Sequence, residues 1–177
     1  MIIKRLNTSQ EVVAGLHLVW DVFIRENAGS CTQQGIEEFA RFIKMENFMP
    51  LVERGEMIVF GVVEGQELGG IGAVQSDGHI SLLFVRPDLR RRGIAKALVN
   101  EMCRFCTMQL ALMRITVNAS VVSTEAYHHM GFRDLAPVQE KDGIRFVPME
   151  LMVSPANVRP SHYGKKHTGL FIGIAVT

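Results

Sequence analysis

The chain has 177 residues, the span of one folded domain with room for a tail. Its hydrophobic content of 47% is enough to bury a full core and too much for a disordered chain. Nineteen Lys and Arg against eighteen Asp and Glu leave a formal charge of +1, whereas nonspecific nucleic-acid or anionic-membrane binding needs a clearly basic face. No apolar run approaches the ~18 residues of a spanning helix. Met1-Ile2-Ile3-Lys4-Arg5 reaches charge too soon for a signal peptide, and three cysteines are an odd number for a secreted disulfide framework. The expectation is a cytoplasmic domain with no nucleic-acid and no membrane partner.

Residues 2–6 read as a strand, and Asn7-Thr8-Ser9 as a run of helix N-cap residues. Val12, Leu16, Val19/Trp20 and Phe23 recur at helical spacing, predicting a helix to about Glu26 that Gly29 breaks. Ile36, Phe39, Ala40 and Ile43 form a second apolar stripe, which Pro50 is expected to close. The period then changes. Met57–Val63 and Leu68–Gln75 are strand-like around the turn Glu64-Gly65-Gln66-Glu67, and Ser76-Asp77-Gly78 leads into a third strand, His79–Val85. From Gly93 to about Ala111, Ile94, Leu98, Met102, Phe105 and Gln109 mark one face of a long helix. Arg114–Asn118 returns as a strand and Val122–Met130 as a short helix stopped by Gly131. Val138 and Arg145–Val153 suggest a final hairpin around Lys141-Asp142-Gly143. Residues 1–153 are thus expected to be one domain of α/β (α+β) class. Residues 154–177, with Pro155, Pro160, Lys165-Lys166-His167 and the apolar Leu170–Val176, form a tail. An added strand, a dimer contact and a remnant of expression are all open for it.

Chemistry concentrates in Leu83-Phe84-Val85-Arg86-Pro87-Asp88-Leu89-Arg90-Arg91-Arg92-Gly93-Ile94-Ala95-Lys96. A buried strand turns directly into a helix whose first N–H groups have no intrahelical partner and whose dipole is positive there. Gly93 lets a ligand approach the backbone, Ala95 keeps the next turn small, and three arginines add charge-assisted donors for phosphate oxygens. This is a cradle for a diphosphate. There is no G-x-x-x-x-G-K-[ST], and Gly69-Gly70-Ile71-Gly72 lacks the third glycine and following helix of a dinucleotide fingerprint.

Val85-x-Pro87-x-x-Arg90-x-x-Gly93-x-Ala95 resembles the acetyl-coenzyme A signature of the GCN5-related N-acetyltransferases (GNAT). Ala126-Tyr127-His128-His129-Met130-Gly131-Phe132, about thirty residues on, resembles the family's short helix ending in Tyr-x-x-x-Gly-Phe. The resemblance implies a mixed, mostly antiparallel central sheet with a splayed parallel strand pair, flanked by about four helices. It implies that His79–Val85 splays from Arg114–Asn118, leaving backbone groups at Phe84 and Val85 unpaired for the pantetheine arm of acetyl-coenzyme A. It places Arg90, Arg91, Arg92, Gly93, Ile94, Ala95 and Lys96 around the pyrophosphate. Tyr127 would sit near the coenzyme sulfur as general acid, with an ordinary phenol pKa of about 10. Ser120 stands where relatives commonly carry an asparagine that bonds the pantetheine arm, with Asn118 two residues earlier, so both are candidates for that contact.

The activity implied is direct acetyl transfer from acetyl-coenzyme A to a primary amine of a small molecule or peptide. Its rival is a non-catalytic acyl-coenzyme A-binding sensor. The acceptor site is expected from the first two helices, the Ala28–Gln34 connection and a loop Phe48–Glu56. Many relatives place a glutamate base four residues before the motif valine. Here that residue is Ser81, so a water relay is expected, with His79, Glu26 and Glu38 as other proton acceptors. No metal is expected: Cys103 and Cys106 lie at C-x-x-C spacing inside a helix with no second ligand pair, Cys31 has no positioned histidine, and His128 and His129 point to different sides of their helix. A homodimer is among the expectations.

Overall fold

The computed structural model describes residues 1–65 and 67–153 in full, together with the backbone of residues 174–176. Strand β1 (Ile2–Leu6) leads into helix α1 (Ser9–Glu26). Thr8 caps that helix, its hydroxyl accepting from the Glu11 N–H while the Glu11 carboxylate accepts from the Thr8 N–H, a reciprocal capping box. Helix α2 (Gln33–Phe42) is capped by Thr32 in the same way on one side only. A third helix, α3 (Met45–Glu53), follows at once. Pro50 therefore does not close the second stripe. Lys44, in extended conformation at ψ 135°, separates α2 from α3, and Pro50 lies inside the new helix. The expected loop Phe48–Glu56 is helical through Glu53.

Strands β2 (Met57–Glu64), β3 (Glu67–Gln75) and β4 (His79–Val85) form an antiparallel meander, with β1 antiparallel on the outer side of β2. Helix α4 (Ile94–Leu110) crosses over to β5 (Arg114–Ser120), and α5 (Thr124–His129) ends at Gly131, where φ is +95°. A two-residue strand β6 (Arg133–Asp134), absent from the sequence reading, and β7 (Gln139–Lys141) both pair with β8 (Ile144–Met152), which is antiparallel to β5. Among the described residues the path is β1-β2-β3-β4-β5-β8-β6. The expected class holds, a mixed and mostly antiparallel sheet, flanked among the described residues by five α-helices where about four were expected.

Helices cover both faces of the central strands, which is why β2 and β4 read as almost continuous apolar runs. On one face α1, α2 and α3 bury Leu16, Val19, Phe23, Phe39 and Phe48 against Ile71, Leu82 and Phe84. On the other, α4 and α5 bury Ile94, Leu98, Met102 and Tyr127 against Val62, Leu83, Val117 and Met149. The glycines of β3 serve this packing. A Cβ on Gly70 would lie 2.9 Å from Ile94 Cγ2, and one on Gly72 would lie 3.0 Å from Met102 Cε. The Gly69–Gly72 run thus brings α4 close to the sheet.

One irregularity positions the site. In the β3–β4 ladder Ala73 faces Leu82 while Val74 faces Ile80, so Ser81 is an extra residue in β4. Such a bulge bends its strand and increases its twist. Parallel pairing of β4 with β5 stops after His79 with Thr116 and Ile80 with Val117, and the strands diverge. The splay matches the sequence expectation. The unpaired edge does not: Leu82, Leu83 and Phe84 pair in parallel with β9 (Ile174–Val176). Most of the tail, including Pro155, Pro160 and Lys165-Lys166-His167, lies outside the described residues.

Candidate functional site

Beyond β4, a short 3-10 turn (Pro87–Leu89) delivers the chain to three arginines. Arg90 is extended, Arg91 takes a left-handed φ of +61°, and Gly93, the N-cap of α4, has φ +79°. A left-handed non-glycine residue is held at some energetic expense by its surroundings. Helical geometry leaves the first N–H groups of α4 without intrahelical acceptors. A Cβ on Gly93 would meet nothing within 4 Å, so the space before the helix is open.

Arg90 carries the clearest electrostatic signal. Its Nη1 lies 3.3 Å from Glu26 Oε2 at the end of α1, while Nε and Nη2 are buried without a hydrogen-bond partner among the described residues. Unsatisfied buried donors on a charged group carry a penalty of about 1–3 kcal/mol or more, which an anion would relieve. Arg91 and Arg92 are exposed, the latter 3.9 Å from Glu64.

A cleft of about 760 Å³ opens on this turn. Val85, Arg90, Arg91, Gly93, Ile94, Ala95 and Lys96 line one side, as the sequence reading grouped them. Val122, Glu125, Ala126, His129 and Met130 line the other. That second wall was missed except as the neighbourhood of Tyr127. Its spacing, 122-125/126-129/130, is one helical face, and that period was the available signal. The His129 Nδ1–H donates to the Glu125 carbonyl oxygen at 2.8 Å, which fixes the ring on the helix. His128 is held apart, 2.7 Å from Asp134 Oδ1.

Phe84, Arg92, Asn118, Ser120 and Tyr127 do not line the cleft. Phe84 is fully buried in an aromatic series, with ring centroids 6.0 Å from Phe39, itself 4.1 Å from Phe23. Asn118 is half-buried on β5, and buried Ser120 is 2.8 Å from Ser123. Tyr127 is 0% exposed, edge-on to Phe132 at 5.1 Å, and its hydroxyl has no hydrogen-bond partner among the described residues. Burial pushes its pKa well above the ordinary phenol value, correcting the expectation of about 10.

On the other side of β4, Ser81 is fully buried and its Oγ accepts from Gln75 Nε2 at 2.8 Å, so it is not a water-exposed relay. Glu38 is bound to Arg41 at 2.9 Å, and His79 Nδ1 is 2.9 Å from Thr116 Oγ1. Cys103 and Cys106 are buried, which pushes their thiols up to about 11 and about 12, outside the range of reactive cysteines. Among the described residues no three His, Cys, Asp or Glu side chains are grouped to hold a metal, and no helix is long and apolar enough to cross a membrane.

Comparison with solved structures finds the same fold. A GCN5-related N-acetyltransferase from Rhodopseudomonas palustris matches with a TM-score of 0.73 at 13% identity, over 86% of this chain and 95% of that one. The PaiA N-acetyltransferase of Thermoplasma acidophilum, in complex with coenzyme A, matches at 0.68 and 18% identity, over 86% and 99%. An aminoglycoside 6'-N-acetyltransferase complexed with coenzyme A matches at 0.62 and 16% identity, over 91% and 100%. Sequence comparison with curated proteins gives no match. The family profile of the acetyltransferase (GNAT) domain matches residues 27–153, from the end of α1 through β8 and across both walls of the cleft, and the chain belongs to that family.

Proposed function

We propose that this chain is an acetyl-coenzyme A-dependent N-acetyltransferase that moves the acetyl group directly to a primary amine of a small molecule or peptide. The observation that carries this reading is the cleft joining the Arg90–Lys96 turn to α5, with buried guanidinium donors at its edge that have no partner among the described residues. These residues fit a diphosphate: Arg90 supplies charge, and the start of α4 supplies N–H groups from Gly93 to Lys96. Phe84 and Val85 would offer backbone groups to the pantetheine amides, with Asn118 or Ser120 reaching from β5. Relatives of the same fold include enzymes named for aminoglycoside and spermidine acetylation, which supports a small polyamine-like or amino-sugar acceptor.

The acceptor nitrogen attacks the thioester carbonyl carbon, a C–N bond forms, and the carbonyl oxygen takes the negative charge. A backbone N–H on β4 stabilises that oxyanion. As the C–S bond breaks, the sulfur takes the Tyr127 proton, and Tyr127 regains one from solvent. Burial keeps the phenol protonated across the working pH range, so its proton is always present to give. The amine proton leaves through water, because β4 carries no acid and Glu26 and Glu38 are already paired with Arg90 and Arg41. A lysine-like amine with pKa ~10.4 is neutral in only about one molecule in 2,500 at pH 7, a cost of about 4.6 kcal/mol. kcat/KM should therefore climb with pH toward the amine's own pKa.

The test is release of free thiol from acetyl-coenzyme A with a panel of polyamines, aminoglycosides and peptides. Binding of the coenzyme without thiol release across the panel would favour the non-catalytic acyl-coenzyme A module, a reading supported by the full burial of Tyr127.

A further inference from the structure

Where β4 leaves β5, the gap is not empty. Ile174, Ala175 and Val176 run parallel to β4 opposite Leu82, Leu83 and Phe84. The same short strand also packs against β5, the Val121–Ser123 turn and α1, so it lies inside the splay rather than on the outer surface of the sheet. The open cleft reaches Val85 and goes no deeper, ending beside the residue that faces Val176. In the same core cluster as Val85, Tyr127 is fully buried, its hydroxyl without a hydrogen-bond partner among the described residues.

We propose, on the coenzyme A reading above, that residues 174–176 are an intramolecular occupant of the pantetheine edge of β4, and that coenzyme binding requires this strand to leave. The chemistry of the two occupants is alike. A pantetheine arm is an extended chain with two amide groups, and a strand offers the same alternating N–H and C=O groups to a sheet edge. The edge of three β4 residues cannot pair with both. With the strand docked, the diphosphate cradle stays open while the thioester end is filled and Tyr127 is shielded. With the strand released, the hydroxyl of Tyr127 gains a route to the sulfur. The apparent dissociation constant for coenzyme A is the intrinsic one divided by the fraction of molecules with the strand undocked, so 90% docking weakens binding about tenfold.

The experiment uses the full chain and Ala175→Pro, which removes a backbone N–H and is poorly tolerated within a sheet, leaving residues 1–153 unaltered. Coenzyme A affinity is measured by calorimetry, and hydrogen exchange is followed at the amides of 82–84 and 174–176. The expected result is tighter binding by Ala175→Pro, on the order of tenfold. In the unsubstituted chain, saturating coenzyme A should speed exchange at 174–176 while the amides of 82–84 stay protected. Equal affinities, or 174–176 remaining protected in the coenzyme complex, would overturn competition while leaving the coenzyme reading intact. Absence of coenzyme binding by both proteins would overturn the two together.

Discussion

Gly93→Asp separates the diphosphate cradle from a mere basic turn. Two effects act at this position. The left-handed φ of +79° penalises any side chain by roughly 1–2 kcal/mol, and this penalty falls on folding. The carboxylate then projects into the open space before α4, where a Cβ has no neighbour within 4 Å and where a phosphate would sit. Two unit charges 4 Å apart repel by about 1 kcal/mol in bulk water and about 4 kcal/mol near a protein surface. A loss of coenzyme A affinity between roughly 5-fold and 1,000-fold follows, since each 1.4 kcal/mol is a factor of ten. Gly93→Ala is the control. It carries the same backbone penalty without charge, so its melting temperature should fall by about 2–8 °C while its affinity stays within about threefold of the parent. Calorimetric titration of the three proteins with coenzyme A reads both quantities. Equal affinity for Gly93→Asp and Gly93→Ala would refute placement of the diphosphate at the start of α4.

Tyr127→Phe removes a buried hydroxyl that has no partner among the described residues, so the melting temperature should hold or rise, while kcat falls by on the order of 10²-fold with coenzyme affinity kept; an unchanged kcat would make Tyr127 a packing residue. Gly143→Ala should destabilise by about 2–4 kcal/mol, because its φ is +79° and the new Cβ would collide with Thr32 Oγ1, the cap of α2; thermal melting checks it. Glu150, held by Arg114 at 2.6 Å and Arg133 at 2.7 Å, has its carboxyl below the usual range, first through Arg114 and then Arg133. A depressed folded-state pKa contributes stability above the unfolded value of about 4.3 and loses it as pH falls through the folded value. Glu150→Gln should therefore melt earlier at pH 7 and lose less on acidification than the parent, and parallel acid limbs for the two proteins would contradict this.

The turn from Val85 to Lys96 was legible because the role proposed for it needs local features: a strand end, a small residue at a helix start and consecutive arginines all fall within a dozen positions. The splay was reachable only through the family resemblance, since the bulge at Ser81 leaves no mark on a uniformly apolar strand. Helix α3 was hidden by Pro50, which reads as a stop although a helix begun at Met45 accommodates it. The two-residue β6 is too short to show a period. Pairing of 174–176 with β4 joins segments some ninety residues apart, and neither segment's pattern names the other. The ordinary pKa expected for Tyr127 failed for the same reason: desolvation belongs to the assembled core and not to the residue.

Incubation with acetyl-coenzyme A and an amine panel, with the amines analysed by mass spectrometry, tests the central claim most directly. The account predicts at least one N-acetylated amine, formed in equal amount to the free coenzyme A released and faster at higher pH. Binding of acetyl-coenzyme A with no acetylated amine at any pH, in the parent and in Ala175→Pro alike, would contradict it.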